Sequence, residues 1–242
     1  MTSMRETVKR AGVSATLRVL VAGLTLHGLS QAQPSPELCG GLRGNMYGPY
    51  DYVREADKVP IVNQGHFSDR VELLLGGKSS ATAGGDLNYT LRAIPNHHRA
   101  LVATERFAEK TKQDPPPEMQ YTVECWYERA LRLSPDDHVA RMLYASYLVR
   151  KKRVSDADIQ LKRVLLKRAD QPFTVNNVGL IYLDMGRPEE ALAQAYVVEA
   201  LGMTPSPLRL QLEKRGLWRD PAASAAAGTA ASAPATAASA AR

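Results

Sequence analysis

The feature that most limits what this chain can fold into is a repeat of about thirty-four residues. Tyr127, Leu161 and Ala195 lie 34 apart, as do Ala130, Val164 and Val198. Ala157 and Ala191 are again 34 apart, and Tyr147 and Tyr182 are 35 apart. A period in this range predicts helical hairpins stacked into a solenoid, in which each unit buries its apolar face against the next. The expected fold class is therefore all-α. The function such a scaffold suits is binding, with no enzyme activity and no cofactor.

The clearest unit, residues 175–205, carries Val178-Gly179, Tyr182, Gly186, Ala191, Ala195 and Pro205. Small residues at such offsets let two helices approach closely while larger ones fill the gap to the next unit. A second unit runs from Asp137 to about Pro172, with Tyr144 at the small position and Lys152 where glycine is expected. The extra residue between Tyr147 and Ala157 predicts a slightly longer turn there. An earlier unit would have helices over 96–110 and 118–133, parted by Lys112-Gln113-Asp114-Pro115-Pro116-Pro117. Three prolines fix φ and lack donors, so that stretch reads as a rigid loop. Leu87 to Pro95 reads as the shortened second helix of a worn-down repeat, and Ser206-Pro207 opens a closing helix that reaches about Arg215. Ser134-Pro135-Asp136-Asp137 and Ser155-Asp156-Ala157-Asp158 look like helix starts.

Four domains are expected: 1–32 as a signal peptide, 33–84 as an irregular N-terminal cap, 85–218 as the repeats with the closing helix, and 219–242 as a disordered alanine-rich tail. Arg5, Lys9, Arg10 and Arg18 precede an apolar run over 19–29, and Ser30-Gln31-Ala32 suits cleavage, which predicts export to the periplasm or beyond. The run is too short to span a bilayer, and no stable membrane insertion is expected after cleavage. The chain is formally +6; the leader holds four bases and one acid, leaving +3. No basic stripe with interleaved aromatics is present, and Lys151-Lys152-Arg153 reads as a solvated turn, so nucleic acid is not an expected partner.

Two cysteines, Cys39 and Cys125, are the number for one bridge in an oxidising compartment; the alternative is two separate buried thiols. The glycine- and tyrosine-rich stretch around Tyr47-Gly48-Pro49-Tyr50-Asp51-Tyr52 is expected to pack on the solenoid, with one short helix over 68–75; the alternative is a surface loop that contacts a partner. Gly77-Lys78-Ser79 lacks the earlier glycine of a phosphate loop, since Glu72 stands there. His97 and His98 are adjacent and ill placed to chelate one metal. Asp136-Asp137 with the histidines is the one cluster on which an envelope enzyme or metal-dependent factor would rest, and it is equally explained by helix-start carboxylates.

The Val178-Gly179, Tyr182, Gly186, Ala191, Ala195, Pro205 pattern resembles the tetratricopeptide repeat over about half of the chain. Tyr47 to Tyr52, Gly65-His66-Phe67, the string from Asn88 to Leu101 and Pro135-Asp136-Asp137 are similar to a group of exported bacterial tetratricopeptide proteins. The resemblance implies a groove lined by first helices that holds a protein or peptide. Carried over position by position, it implies groove residues His138, Arg141, Met142 and Ala145 in the second unit, and Phe173, Asn176, Asn177 and Leu180 in the third. In the first it implies His98, Leu101, Val102 and Glu105. Of the lysines and asparagines of a family carboxylate clamp, only the asparagines are here.

Overall fold

The computed structural model describes residues 39–42 and 47–220. The expected signal peptide lies outside these residues, as does the tail from residue 221 onward. Among the described residues the chain is all-helical with no strand. A 3-10 turn, Ala56–Lys58, leads into α1 (Val59–His66), followed by α2 (Asp69–Glu72), α3 (Ala83–Ala93), α4 (His98–Thr111) and α5 (Val123–Leu133). Then come α6 (His138–Arg150), α7 (Val154–Arg168), α8 (Pro172–Asp184), α9 (Pro188–Ala200) and α10 (Pro207–Lys214). No helix of the described residues is long and apolar enough to cross a membrane. That and the disulfide described below are compatible with an exported protein.

Packing follows chain order. The pairs α6/α7 and α8/α9 make the most extensive contacts, and α4, α6, α8 and α10 also touch one after another, an arrangement compatible with a helical repeat. The periodic side chains are the ones the core takes: Tyr127, Leu161 and Ala195 are fully buried, as are Ala130, Ala157, Ala191 and Val198, with Val164 nearly so. Gly179 is needed for its small size. A Cβ there would stand 2.2 Å from Leu208 Cδ2, so any side chain would push α10 off α8.

Both hairpin turns end their first helix by the same device. Lys152 (φ 63°) and Gly186 (φ 72°) are left-handed, and the next amide returns to the helix, Arg153 N to Leu148 O and Arg187 N to Tyr182 O, both at 2.9 Å. Each turn has three residues, 151–153 and 185–187, so the expected longer turn is corrected: Leu148, not Tyr147, occupies the place of Tyr182. Other boundaries also differ from expectation. Asp137, rather than Ser134, caps α6, accepting from Ala140 N at 3.0 Å, while Ser134 closes α5. Ser155 lies inside α7, whose cap is Arg153 without a side-chain bond. The second helix of the first unit begins at Val123, because Asp114 Oδ1 and Thr122 Oγ1 take the first free amides at Val123 and Cys125. The short helix expected over 68–75 is the single turn α2.

The N-terminal region is more ordered than an irregular cap. α1 packs on α3 through Val62, Ala93 and Ile94, and Tyr47, Tyr50, Tyr52 and Tyr89 lie half-buried over this small cluster. The tyrosines therefore pack on the helices, as expected. Cys39 and Cys125 are joined, with Cα atoms 5.0 Å apart, which ties the N-terminal segment to α5. Arginines reinforce the tie: Arg129 Nη1 donates to the carbonyls of Cys39 (2.9 Å) and Gly41 (2.6 Å), and Arg132 Nη2 to that of Gly40 (2.7 Å).

Candidate functional site

Three crevices follow one another between the first helices of successive pairs. The α4/α6 crevice, about 350 Å³, is lined by Glu105, Lys112, Asp114, Tyr147 and Arg150 among others. The α6/α8 crevice, about 260 Å³, takes Ser146, Val149, Arg150, Ile181 and Asp184. The α8/α10 crevice, about 300 Å³, takes Leu180, Leu183, Asp184, Pro207, Gln211 and Arg215. Arg150 lines the first two and Asp184 the last two. The lining repeats with the sequence: Tyr147, Ile181 and Arg215 lie 34 apart and serve the first, second and third crevice in turn. Ser146 and Leu180, Val149 and Leu183, and Arg150 and Asp184 keep the same interval.

The walls are fixed by polar contacts that repeat too. Arg153 bonds Asp156 in its own helix (2.6 Å) and Glu124 on the preceding second helix (2.5 Å). One period later Arg187 bonds Glu190 and, at 2.7 Å, Asp158. All three members shift by 34. Arg153 is thus a half-buried cross-link rather than the solvated turn residue expected. At the first crevice Glu105 accepts from Tyr127 Oη (3.1 Å) and Arg150 Nε (2.6 Å). Burial and the Glu105 charge push the Tyr127 phenol far above its usual pKa and keep it a donor.

The residues named from the resemblance are not brought to one surface. Glu105 lines the first crevice with Arg150, and Leu180 the third. Phe173 and Asn177 are exposed on α8, Phe173 at 76%. Asn176 is buried, and its Oδ1 accepts from Leu208 N (3.0 Å), which holds the start of α10. Arg141 is also buried, donating to Gln160 Oε1 (2.6 Å) and the Pro135 carbonyl (2.5 Å). His138 and Arg141 share a separate pocket of about 250 Å³ with Pro135, Asp136, Arg163, Val164, Leu166 and Lys167. His98 Nε2 bonds the Asp137 carboxylate (2.8 Å) and lies against Tyr52, ring centroids 4.7 Å apart.

Asp137 is a structural hub. It accepts from the Ala140 amide, His98 and Asn96 Nδ2 (2.8 Å), while Asn96 Oδ1 accepts from Tyr52 N (2.8 Å). Burial alone would raise its pKa, but these bonds and the His98 charge outweigh it and leave the carboxyl below the ordinary range. His97 is wholly buried: Nδ1 accepts from Ala100 N (3.1 Å), which places the proton on Nε2 for Asn63 Oδ1 (2.9 Å). Burial pushes its pKa down to about 3. So the Asp136-Asp137 and histidine cluster is divided: Asp137 caps a helix, His97 caps another, and Asp136 sits exposed, 3.8 Å from Lys167. Among the described residues no group of three or more His, Cys, Asp or Glu side chains is placed to hold a metal ion.

The Gly77-Lys78-Ser79 loop is an anion cradle that the chain fills itself. The amides of Lys78 (2.5 Å), Ser79 (3.1 Å) and Ser80 (3.1 Å) all donate to Asp86 Oδ2, and His66 Nδ1 lies 2.7 Å from Oδ1. These donors overcome the effect of burial and lower the Asp86 pKa. A bound phosphate would have to displace a carboxylate that is fully buried.

Sequence reasoning missed Ser146, Val149, Arg150, Ile181 and Asp184 as lining residues. Their 34-residue partners were the available signal. Compared with protein-family profiles, with characterised proteins and with solved structures, the chain has no match.

Proposed function

We propose that this chain is an exported, non-catalytic scaffold of the tetratricopeptide type, which holds an extended segment of another protein along the crevices of its first helices. The observation that carries this reading is the repeat of the lining itself. Each period presents equivalent positions to the next crevice, so a partner lying across α4, α6, α8 and α10 meets a regular series of apolar and charged sites. Val149, Ile181, Leu180 and Leu183 offer apolar contact, and Arg150 and Asp184 offer both signs of charge for side chains or backbone. Export is supported by the basic and apolar start of the sequence and by the disulfide.

Filling a crevice tests the reading. Ser146 is only half-buried and lines the α6/α8 crevice, so Ser146→Arg should leave the helical circular dichroism unchanged and weaken partner capture by about tenfold or more. Lys162→Ala, on the exposed face of α7, should leave capture as it is. Equal capture by the wild type and Ser146→Arg would reject the crevices as the site. Arg141 is unsuitable for this purpose, because truncating it would strip Gln160 and the Pro135 carbonyl of a donor.

A further inference from the structure

The pocket between the start of α6 and the second half of α7 lies apart from the three crevices and sets three cations around a largely apolar wall. Arg141, Arg163 and Lys167 line it, with Val164 and Leu166 as apolar wall and Asp136 as the one acid. Arg163 and Lys167 are four residues apart on α7 and so share a face, where like charges repel by a few tenths of a kcal/mol. No carboxylate among the described residues pairs with Arg163, and Lys167 reaches Asp136 only at 3.8 Å, with both side chains more than half exposed. Arg168 stands in the next position, its Nε buried without a hydrogen-bond partner among the described residues. Lys162, by contrast, is paired with Asp158 at 2.8 Å on another side of the helix.

The repulsion is felt at the site. His138 is pushed below its usual pKa by burial and then by Arg168, and Arg141 is lowered by burial and then by Arg163. By contrast, Arg153 and Arg187 at the hairpin turns are each paired with two acids. The cations on the α7 face are thus left for a ligand. Leu166, 83% exposed, stands beside them and adds an apolar contact that a free inorganic ion would not use.

Resting on the scaffold reading, we propose that this pocket is a second docking point for the same class of partner: it takes a carboxylate of an acidic peptide segment whose neighbouring side chain is aliphatic. Arg163 and Lys167 clasp the carboxylate, the fixed Arg141 charge backs them, and Leu166 with Val164 receives the aliphatic group.

The test uses the full mature chain and a fluorescein-labelled short peptide in which leucines alternate with aspartates and glutamates. Anisotropy at low salt should show binding, weakened about tenfold or more when the acids are replaced by asparagine and glutamine. The double variant R163Q/K167Q, both positions exposed, should lose affinity by a similar factor with its helical circular dichroism unchanged, while the charge-preserving R163K/K167R regains most of it. Equal binding of the amide peptide, or undiminished binding by R163Q/K167Q, would overturn the proposal. So would competition by inorganic phosphate as effective as that by unlabelled peptide, which would make the pocket a small-anion site. The scaffold reading fails separately, through Ser146→Arg: a chain that loses its partner there but ignores acidic peptides retains the crevices and loses only this pocket.

Discussion

Acid should weaken this fold well before its carboxylates are protonated, and His97 is the reason. Its imidazole is wholly buried, accepts from Ala100 N and donates to Asn63, so a second ring proton would point at an amide hydrogen. The folded pKa of about 3 stands against 6.5 for the free side chain. Because the folded value of this base is depressed, its stability contribution is intact above pH 6.5 and is lost as pH falls toward the folded pKa. Between pH 7 and 5 the unfolded imidazole goes from about a quarter to almost fully protonated, while the folded one stays neutral. At 1.36 kcal/mol per unit that amounts to about 2 kcal/mol, or about 4 to 8 °C in Tm for a domain of this size. Urea denaturation of the wild type and His97→Asn at the two pH values measures it. Asparagine can still cap α4, so the variant should fold with lower stability at pH 7. The gap between the two proteins should shrink by about 2 kcal/mol at pH 5, and taking the difference removes the pH effects that both proteins share. Parallel losses in both proteins would refute the reasoning.

Other expectations follow from single positions. Lys152→Gly should stabilise by about 0.5 to 1 kcal/mol in chemical denaturation, because the left-handed turn costs lysine more than the lost chain stiffness costs glycine. Gly179→Ala should cost about 1 to 3 kcal/mol and loosen α10, seen as faster hydrogen exchange at Leu208 and Leu212, since the new methyl meets Leu208. Reducing the Cys39–Cys125 bridge, which closes a loop of 86 residues, should cost about 4 to 5 kcal/mol on chain entropy, and the unfolded, unreduced protein should show no free thiol.

What the sequence revealed and what it hid divide along physical lines. Burial leaves a period, so Tyr127, Leu161 and Ala195 announced their shared role, and Gly179 announced a close approach. Ser206-Pro207 marked a helix start because capping chemistry is local; Ser206 Oγ does accept from Arg209 N. α1 was hidden within the expected irregular cap, because the helix is held by contact of Val62 with Ala93 and Ile94, far along the chain. The Asp86 cradle was hidden for the same reason: three amides, one histidine and one acid meet only once the loop has folded. Of the turn Lys151-Lys152-Arg153, expected to be solvated, the two lysines are exposed and Arg153 alone was misread. Arg153 and Arg187 recur at 34, as do Glu124 and Asp158, but a period in charges is legible only to a reader who expects polar groups to hold repeats together. Among the groove residues taken from the resemblance, Arg141 and Asn176 proved to be committed to Gln160 and to the start of α10, contacts that spacing alone does not disclose.

The central claim is that the first-helix crevices meet the partner. Site-specific photo-crosslinking tests it most directly, with the reactive residue placed at Ser146 or Leu180 in the crevices and at Val197 on α9, outside both the crevices and the α7 pocket. The account predicts one and the same partner joined from Ser146 and Leu180 and none from Val197. The reverse pattern, with adducts from Val197 and none from the crevices, would contradict it.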